Sequence, residues 1–386
     1  MDAFIPHLRD AARRLGFALC GVARVAPIAR ADFVRQWLAD GNAASMGYLE
    51  RGLAKRLDPR LILPQVRSVI TVGYRYRPPP LPPVDWQKTL RGRIAAYALD
   101  DDYHRVVRRK LDQLAVVLMA RYPELRALSY VDTGAILERE WAAGGGIGWF
   151  GKNTNILHTE EGSYFFLGEL LVNFELNPAP MIPDHCGSCT RCLDLCPTQA
   201  LKPGYVLDAR LCISYLTIEH RGPIPVALRP QLGNWIFGCD VCQEVCPWNE
   251  KRAPRGESPE EPRLLPYLPD LLRLDADGFE TRFAGSAIRR AKRDGFVRNV
   301  AVALGNTHNP AAVQPLRAAL EDDPSALVRA HVAWALGAIG DAAARQALEY
   351  ARRRDPDATV RVAVDQALAD ADNRPTAAHA NRSIPR

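Results

Sequence analysis

The sequence predicts an α+β multidomain chain of three parts: an α/β layer domain, a cysteine-rich module and a C-terminal α-solenoid. Helical and strand patterns alternate through residues 1–175, which is typical of packed α/β layers. Eight of the nine cysteines then fall between residues 186 and 246. Towards the C-terminus a motif recurs about every 32 residues, as in stacked helical pairs. A chain of 386 residues has room for these three parts.

The same patterns predict where each part begins and ends. The α/β domain covers residues 1–177, and the cysteine-rich module covers residues 178–250. The solenoid covers residues 262–372 and follows a linker rich in proline and charge. Residues 373–386 are predicted to be a disordered tail.

Three elements of the α/β domain bear on function. Residues 69–74 form an apolar run that predicts a buried strand. Residues 103–121 carry one apolar face at helical spacing. Residues 128–131 predict another strand, which delivers the carboxylate of Asp132 at its end.

The cysteines follow the spacing of a bacterial ferredoxin. The first run is Cys186-x2-Cys189-x2-Cys192-x3-Cys196-Pro197, the second is Cys239-x2-Cys242-x3-Cys246-Pro247, and Cys212 lies between them. In ferredoxins three cysteines of such a run hold one cubane cluster and the fourth reaches the other cluster. Ile236 stands where a regular second run would carry a cysteine, and Cys212 is the natural replacement.

The spacing therefore predicts two 4Fe–4S clusters and an electron-transfer function. One cluster would be held by Cys186, Cys189, Cys192 and Cys246, and the other by Cys196, Cys212, Cys239 and Cys242. Two structural zinc sites or disulfides are the alternatives. Zinc ribbons use separated Cys-x2-Cys pairs, so the triple at x2-x2-x3 followed by proline favours iron–sulfur.

Composition predicts a soluble cytoplasmic protein. Apolar residues make up 47% and charged residues 24% of the chain, which is ordinary for a globular protein. No apolar run is long enough to span a membrane. Arg13 and Arg14 precede a short apolar stretch that only superficially resembles a twin-arginine export signal. Thiolate-bound clusters also fit a reducing compartment.

The solenoid carries a candidate nucleic-acid surface. The repeated motifs are Phe296-Val297-Arg298, Leu327-Val328-Arg329 and Thr359-Val360-Arg361. A structural role between repeats is expected for Arg329 and Arg361. Residues 281–300 hold six basic residues against Asp294 alone. Such a strip is usually a solvated face, but on a solenoid it becomes a candidate phosphate-binding surface. Its predicted contacts are Arg289, Arg290, Lys292, Arg293 and Arg298.

A glycine-rich loop precedes the cysteines. Residues 146–152 satisfy the G-x4-G-K pattern of a nucleotide-binding P-loop. However, Asn153 replaces the Ser or Thr that binds magnesium, and a helical pattern precedes the loop where a strand is required. An NTPase is therefore disfavoured. The dense glycines instead predict close approach to a bulky ligand.

Asp132 is the candidate general acid. It lies beside the glycine-rich loop in a largely apolar stretch, where burial would raise its pKa and let it donate a proton near neutral pH. The alternative is that it caps a helix beginning near Ala135.

Several segments together resemble the epoxyqueuosine reductase family, over roughly residues 1–370. They are residues 44–51, residues 55–60, Tyr97 with residues 102–104, residues 131–134, residues 148–153 and the cysteine pattern. The resemblance implies a nitroreductase-like N-terminal domain, a ferredoxin-like two-cluster module and a HEAT-like tail. It also implies cobalamin as a second cofactor.

The resemblance further implies an activity and its partners. The family reduces the epoxide of epoxyqueuosine at the tRNA wobble position to the alkene, the last step of queuosine synthesis. Asp132 matches the family's proton donor. Electrons would come from an external donor such as a flavodoxin or ferredoxin, and a monomer is expected. The positions matching contacts to cobalamin or the modified base are Arg56, Tyr97, Asp132, Lys152, Asn153, Thr154 and Ser214.

Two further expectations complete the analysis. Asp102 and His104 have the spacing of a cobalamin-binding Asp-x-His motif, but Val107 replaces its glycine, so no axial histidine is expected. The alternatives to a tRNA-modifying reductase are a reductive dehalogenase and a ferredoxin-type electron carrier or scaffold without a substrate. The basic solenoid and the lack of a convincing export signal argue against a dehalogenase.

Overall fold

The computed structural model describes residues 3–250 and 261–372. The N-terminal part holds a four-stranded antiparallel sheet in the order β1-β2-β7-β4. Its elements are α1 (Phe4–Arg14), β1 (Leu19–Arg24), α2 (Ala31–Ala39), α3 (Tyr48–Arg51), α4 (Leu53–Leu57), β2 (Ser68–Arg75), α5 (Trp86–Thr89), β3 (Arg93–Ile94), α6 (Tyr103–Arg121), β4 (Ala127–Tyr130), α7 (Glu138–Gly144), β5 (Trp149–Phe150), β6 (Ile156–Leu157) and β7 (Phe165–Val172).

The sheet is buried on both faces because helices cover each of them. Ile70 of β2 and Leu170 of β7 point towards α1 and α6 and share a core with Leu114. Val69 and Leu171, one position away, point to the other face, where α7 packs. Alternate residues of a strand point to opposite faces, so two buried faces require the continuous apolar runs seen here.

The predicted elements around the candidate acid are confirmed. The strand predicted at residues 69–74 is β2, and the helix predicted at residues 103–121 is α6. The strand predicted before Asp132 is β4, which ends at Tyr130. Helix α7 begins at Glu138 rather than near Ala135, and its N-cap is Leu137. Asp132 therefore does not cap this helix.

The cysteine-rich module consists of short elements around turns. They are α8 (Arg191–Asp194), β8 (Leu201–Lys202), β9 (Val206–Leu207), α9 (Ile213–Ile218), β10 (Trp235–Phe237), α10 (Val241–Glu244) and α11 (Pro247–Glu250). Strand β10 pairs in parallel with β3 of the N-terminal part. Ile94, Ile236 and Leu268 then share one core with the C-terminal helices. The three parts are therefore interlocked, which the linear sequence patterns did not predict.

The C-terminal part is an α-solenoid, as predicted. Its helices are α12 (Glu261–Leu264), α13 (Leu268–Leu272), α14 (Ala276–Arg282), α15 (Lys292–Thr307), α16 (Val313–Asp322), α17 (Ala326–Ile339), α18 (Ala342–Arg354) and α19 (Ala358–Asp372). Helices α15, α17 and α19 pack side by side. A Cβ on Gly305 would lie 2.8 Å from the Ala335 Cα, and one on Gly337 would lie 2.8 Å from the Ala367 Cβ. The repeat thus places a glycine where neighbouring helices approach most closely.

Arginine–aspartate pairs connect successive repeats. Arg329 donates to both carboxylate oxygens of Asp355, at 2.8 and 3.1 Å. Arg361 donates to the backbone carbonyl of Asp355 at 2.7 Å. The structural role between repeats is confirmed for Arg329, whereas Arg361 bonds the carbonyls of Asp355 and Pro356 just before its own helix.

Within the described residues, no helix is long and apolar enough to cross a membrane. The predicted tail at residues 373–386 and most of the predicted linker lie outside the described residues.

Candidate active site and cluster module

The thiols that act on Cys192 and Cys239 are ones predicted to share a cluster with them, whereas Cys242 also has Cys192 of the other predicted set as a neighbour. Burial and then the neighbouring thiols of Cys246, Cys186 and Cys189 raise the pKa of Cys192 to about 11. Burial and the neighbouring thiols of Cys212, Cys196 and Cys192 likewise raise the pKa of Cys242. Cys239 has Cys242 and Cys212 as neighbours. All nine cysteines are free thiols, so the disulfide alternative is wrong.

Three residues matched to cobalamin or base contacts lie against the cysteine loops instead. The Lys152 ammonium donates to the backbone carbonyls of Gly187 and Cys189, at 2.7 and 2.9 Å. The Asn153 amide donates to the carbonyl of Cys242 at 3.1 Å. The Ser214 side chain hydrogen-bonds the Cys212 thiol. The glycine-rich loop thus holds Lys152 and Asn153 against both cysteine runs.

A cavity of about 260 Å³ lies inside the first group of cysteines. The rings of Trp149 and Trp248 stand edge to face, with their centroids 5.2 Å apart, beside His185. His185 and Trp248 line the cavity, and Trp149 packs behind them. Thr154 follows in the same glycine-rich loop and adopts a positive φ of 64°.

Asp132 follows β4 in a left-handed backbone conformation, with φ of 52°. This conformation is costly for a residue with a Cβ and persists only when its surroundings hold it. The Asp132 N–H donates to Glu138 Oε1 at 2.5 Å. Arg56 donates to the carbonyls of Gly134 and Ile136 at 3.1 and 3.3 Å. These contacts fix the loop at residues 131–137, which we call the Asp132 loop.

The Asp132 carboxylate is paired with a histidine. Its Oδ2 lies 3.0 Å from His104 Nε2, and His104 Nδ1 lies 2.7 Å from Asp102 Oδ1. Asp102 also caps α6 by accepting from the His104 N–H. Asp102, His104 and Asp132 therefore form a hydrogen-bonded row, in which both ring nitrogens of the histidine are occupied.

The pairing changes the predicted ionisation of Asp132. Partial desolvation by itself would raise the pKa of the half-exposed Asp132, but the hydrogen bond and charge of His104 outweigh it, and the pKa is lowered. The predicted upward shift is therefore wrong, because the sequence did not reveal the histidine partner. Burial opposes protonation of His104, yet hydrogen bonds to Asp132 and Asp102 raise its pKa.

Two cavities meet beside this row. Asp132, whose side chain is 55% exposed, lines a cavity of about 150 Å³ together with Asn155 and Ser163. A much larger cavity, of about 1320 Å³, does not include Asp132 but contains Tyr97. Tyr103 and Phe166 line both cavities, and their rings stack with centroids 4.2 Å apart. The candidate acid thus lies next to a space that can accept a bulky ligand.

Comparison with known proteins decides the family. The family model "Epoxyqueuosine reductase QueG, DUF1730" matches residues 56–133. The epoxyqueuosine reductase of Pseudomonas aeruginosa is 40% identical over 330 residues, which cover 84% of this chain and 91% of that protein. The epoxyqueuosine reductase of Alicycliphilus denitrificans is 41% identical over 347 residues, which cover 85% and 96%.

The chain belongs to the epoxyqueuosine reductase family.

Solved structures of epoxyqueuosine reductases share the fold. One, crystallised with a tRNA-Tyr epoxyqueuosine-modified stem loop, has a TM-score of 0.90 and 30% identity, covering 96% of this chain and 99% of that chain. The Bacillus subtilis structure, with its catalytic aspartate loop swung out of the active site, has a TM-score of 0.87 and 30% identity, with the same coverage. The relatives compared are neither dehalogenases nor electron carriers.

Two further family models match the cysteine-rich module and the solenoid of this epoxyqueuosine reductase family member. The family model for a 4Fe-4S double cluster binding domain matches residues 185–249, and one for HEAT repeats matches residues 281–369. Two 4Fe–4S clusters are therefore confirmed, as predicted. The zinc alternative is wrong.

The predicted basic strip is only partly available to a nucleic acid. Arg289, Arg290 and Lys292 are exposed. Arg293 donates to Asp323 at 2.9 Å and to the Leu274 carbonyl at 2.8 Å. Arg298 is 1% exposed, and its guanidinium donates to backbone carbonyls inside the protein. Arg293 and Arg298 are therefore removed from the predicted contact surface, because their charges are already satisfied internally.

Sequence reasoning missed the acidic and histidine partners of Asp132. His104 was considered only as a cobalt ligand. Tyr103, whose side chain helps to lower the pKa of Asp132, was named only as part of the segment that resembles the family. Glu169 was also missed, although a lone carboxylate within the apolar run of residues 165–172 was a usable signal.

Proposed function

We propose that the chain reduces epoxyqueuosine to queuosine in tRNA. Two electrons and two protons convert the epoxide to an alkene and release its oxygen as water. The observation that carries the proposal is the Asp102–His104–Asp132 row beside a cavity, next to the two-cluster module, in a member of this family. The clusters supply electrons singly, and the aspartate supplies a proton.

The test is conversion of the modified base itself. Anaerobic reconstitution with iron, sulfide and cobalamin should give a protein that turns epoxyqueuosine-bearing tRNA into queuosine-bearing tRNA when a reductant is added. Mass spectrometry of the digested nucleosides measures both species. Loaded protein that consumes reductant and leaves epoxyqueuosine unchanged would refute the proposed function.

The residues present fit cobalamin as the second cofactor. Arg56 Nε and Arg75 Nε are buried and have no hydrogen-bond partner among the described residues. Arg75 and Tyr97 line the larger cavity, so polar and aromatic groups are available to a large cofactor. When bound, cobalamin would supply a strongly nucleophilic metal centre. Arg56 and Tyr97 are the residues we propose to hold it.

Most of the other residues proposed to contact cobalamin or the base contact the cysteine loops. Lys152, Asn153 and Ser214 support the cysteine loops directly, so any contact with cobalamin or base would be additional. Thr154 shares their loop. His104 already bonds Asp102 and Asp132 through its two ring nitrogens, which supports the expectation that cobalt has no protein histidine ligand.

Asp132 and His104 act as one proton donor in this proposal. The pKa of His104 is raised and that of Asp132 is lowered, so the pair favours the proton on His104 Nε2, which faces Asp132 Oδ2. As the C–O bond breaks, a proton passes from His104 Nε2 through the Asp132 carboxylate to the departing oxygen, which leaves His104 neutral. Asp102 keeps the histidine ring in the orientation that this transfer needs.

Replacing His104 with glutamine should lower turnover about 10²-fold and alter its pH dependence. Because the folded protein raises the pKa of His104, the wild-type rate should be sustained below that pKa and fall as pH rises through it. Glutamine can bond Asp132 but cannot supply a proton, so this alkaline fall should disappear. Single-turnover rates of pre-reduced protein across pH measure it. A wild-type pH profile in the variant would exclude His104 from proton supply.

We propose tRNA as the macromolecular partner, supported by the relative that was solved with a modified stem loop. Access to the base requires a splayed anticodon loop, and affinity comes largely from phosphates. Arg289 and Arg290 are exposed although each pairs with a glutamate, Glu280 and Glu219 respectively. The Arg290 charge also acts on Asp132 and Tyr48, which places this surface near the site.

Neutralising Arg289, Arg290 and Lys292 together to glutamine should weaken tRNA binding and flatten its salt dependence. Each lost phosphate contact lowers the log–log slope by roughly 0.7–0.9. The matched control is the triple change of Arg317, Arg345 and Arg352 to glutamine, since these arginines are also exposed and paired with carboxylates. Affinity measured over a salt series should change only for the first triple. Equal slopes for both variants and wild type would place the tRNA elsewhere.

The fold of the N-terminal domain, the domain boundaries, the location, the oligomeric state and the electron donor are also proposals. A four-stranded antiparallel sheet with helices on both faces supports a nitroreductase-like N-terminal domain. We propose domain boundaries at 1–177, 178–250 and 262–372, and each of these ranges contains one family match, at residues 56–133, 185–249 and 281–369 respectively. We further propose a cytoplasmic monomer that takes electrons from a flavodoxin or ferredoxin, supported by the cluster chemistry.

A further inference from the structure

Ser163 lies between the cluster module and the candidate acid. It precedes β7, and only 5% of it is exposed. It lines the cavity of about 150 Å³ that Asp132 also lines. Its hydroxyl contacts the side chains of Gln243 and Asn249, which flank the predicted cluster ligand Cys246 along the chain. One small side chain therefore joins the second cysteine run to the space beside the candidate acid.

A tight turn fixes the backbone of Ser163. His158 and Gly162 exchange two backbone hydrogen bonds, at 2.8 and 3.0 Å. Gly162 has a positive φ of 65°, and a Cβ there would lie 2.0 Å from Asn249 Oδ1. Glycine is required at this position, because its lack of a side chain lets the Ser163 N–H donate to the same Oδ1, at 2.8 Å.

Two side-chain amides donate to the Ser163 hydroxyl oxygen. Gln243 Nε2 and Asn249 Nδ2 each lie 3.0 Å from Ser163 Oγ. Backbone partners determine which end of each amide is the nitrogen. Asn249 accepts the Ser163 N–H through its oxygen and donates to the Gln243 carbonyl at 2.7 Å through its nitrogen. The Gln243 nitrogen also donates to the Ser163 carbonyl, at 3.2 Å, so an oxygen in its place would face another oxygen.

This arrangement leaves the hydroxyl of Ser163 with a proton to donate. A serine hydroxyl has two acceptor lone pairs and one O–H. The two amides occupy both lone pairs, and no group in the described part of the chain accepts the O–H. An unpaired donor inside a protein is costly, so the site is suited to an acceptor that a ligand brings. Because Ser163 lines the Asp132 cavity, a ligand in that cavity can supply this acceptor.

We propose that Ser163 donates a hydrogen bond to the epoxide oxygen of the bound substrate. The cavity is small, so it admits only the reacting end of the modified base. Asp132 protonates the departing oxygen in this cavity, which places that oxygen within reach of Ser163 as well. Negative charge develops on the oxygen as the C–O bond breaks, and a donor fixed in advance stabilises that charge. Ser163 keeps its own proton throughout. The inference deepens the proposed function and rests on it.

Removal of the hydroxyl should weaken the binding of substrate but not of product. Queuosine has lost the epoxide oxygen, so only epoxyqueuosine carries the acceptor. In protein loaded with both cofactors but left unreduced, Ser163→Ala should weaken binding of an epoxyqueuosine-bearing stem loop about two- to tenfold, the effect of one hydrogen bond. Binding of a queuosine-bearing stem loop should be unchanged. Equilibrium titration measures both affinities, and their ratio is insensitive to general damage. The single-turnover rate of the reduced variant should fall by roughly 10²-fold.

Gln243→Glu tests the direction of the hydroxyl while keeping the serine. The introduced carboxylate replaces the Nε2 donor by an oxygen that accepts from Ser163, so the proton turns away from the cavity. The affinity ratio should fall as it does in Ser163→Ala. The matched control is Ser68→Ala, which removes another buried hydroxyl that accepts a hydrogen bond, from the Leu176 N–H at 3.0 Å. Ser68 pairs with Val172, at the end of β7 remote from Ser163, so its loss should leave the ratio unchanged.

The affinity ratio decides the inference separately from the proposed function. An unchanged ratio in Ser163→Ala would overturn the inference, even where the wild-type protein converts the substrate. If Ser163→Ala loses its clusters, an unchanged ratio in Gln243→Glu would overturn it. Wild-type protein that binds both stem loops but never converts epoxyqueuosine would refute the proposed function instead.

Discussion

Replacing Asp132 with asparagine should lower turnover by about 10²–10⁴-fold, the range typical of a lost general acid. Asparagine has nearly the same shape and its backbone N–H can still bond Glu138. Its side-chain oxygen can still accept from His104 Nε2. What it cannot do is pass a proton from the histidine to the departing oxygen, so the C–O bond would have to break towards a bare alkoxide.

The measurement is the rate at which epoxyqueuosine disappears in a single turnover with pre-reduced protein. Iron content, cobalamin content and tRNA affinity of the variant should equal those of wild type, which separates a chemical defect from a folding defect. Asp32→Asn is the matched control, because Asp32 is exposed and pairs with Arg35 on α2. Near-normal turnover of Asp132→Asn would remove Asp132 from the mechanism.

The features that the sequence predicted correctly are those that depend on residues close together along the chain. The cysteine order predicted two 4Fe–4S clusters, since the spacing of cysteines within a short loop is typical of this cofactor. Alternation and helical periodicity predicted β2, α6 and β4, and therefore the place of Asp132 after a strand. The repeat predicted the solenoid, because its glycines and arginines recur at each helix contact.

Features that depend on long-range pairing could not be predicted from one sequence. The pKa of Asp132 is set by His104, which is 28 positions away along the chain and on another element. Strand β3 has only two residues and pairs with β10, far along the chain, so no local pattern revealed it. Arg298 and Arg289 are the same residue type, so the sequence alone does not distinguish them. In the folded chain, Arg298 is buried and donates hydrogen bonds, whereas Arg289 is a charge on the surface.

The buried arginine connects the solenoid to the cluster module. Arg298 of α15 donates to the carbonyls of Leu216, Gly222 and His220, at 2.7, 2.6 and 3.0 Å. Its neighbour Asn299 donates to the carbonyls of Thr217 and Ile236, at 2.8 and 2.9 Å. Four of these carbonyls lie in α9 or just after it, and that of Ile236 lies in β10; α9 begins directly after the predicted cluster ligand Cys212. Burial lowers the pKa of Arg298 to about 9, so it remains protonated near neutral pH.

Replacing Arg298 with methionine should destabilise the protein strongly. Methionine keeps much of the side-chain volume but leaves at least three buried carbonyls without a hydrogen-bond donor. Each unpaired carbonyl costs about 1–3 kcal/mol. Part of this cost is offset because the variant no longer buries a charge. We expect a net loss of about 3 kcal/mol and a fall of roughly 5 °C or more in the thermal midpoint. Iron content should also fall, because α9 would no longer hold Cys212 firmly.

Calorimetry of the loaded protein measures the midpoint, and Arg345→Met is the control because Arg345 is exposed and pairs with Glu349. A surface change of that kind should alter stability by no more than about 0.5 kcal/mol. The salt dependence of tRNA binding by the remaining folded Arg298→Met protein should match wild type, since a buried guanidinium releases no counterions from phosphate. An unchanged midpoint with a flattened salt slope would instead return Arg298 to the nucleic-acid surface.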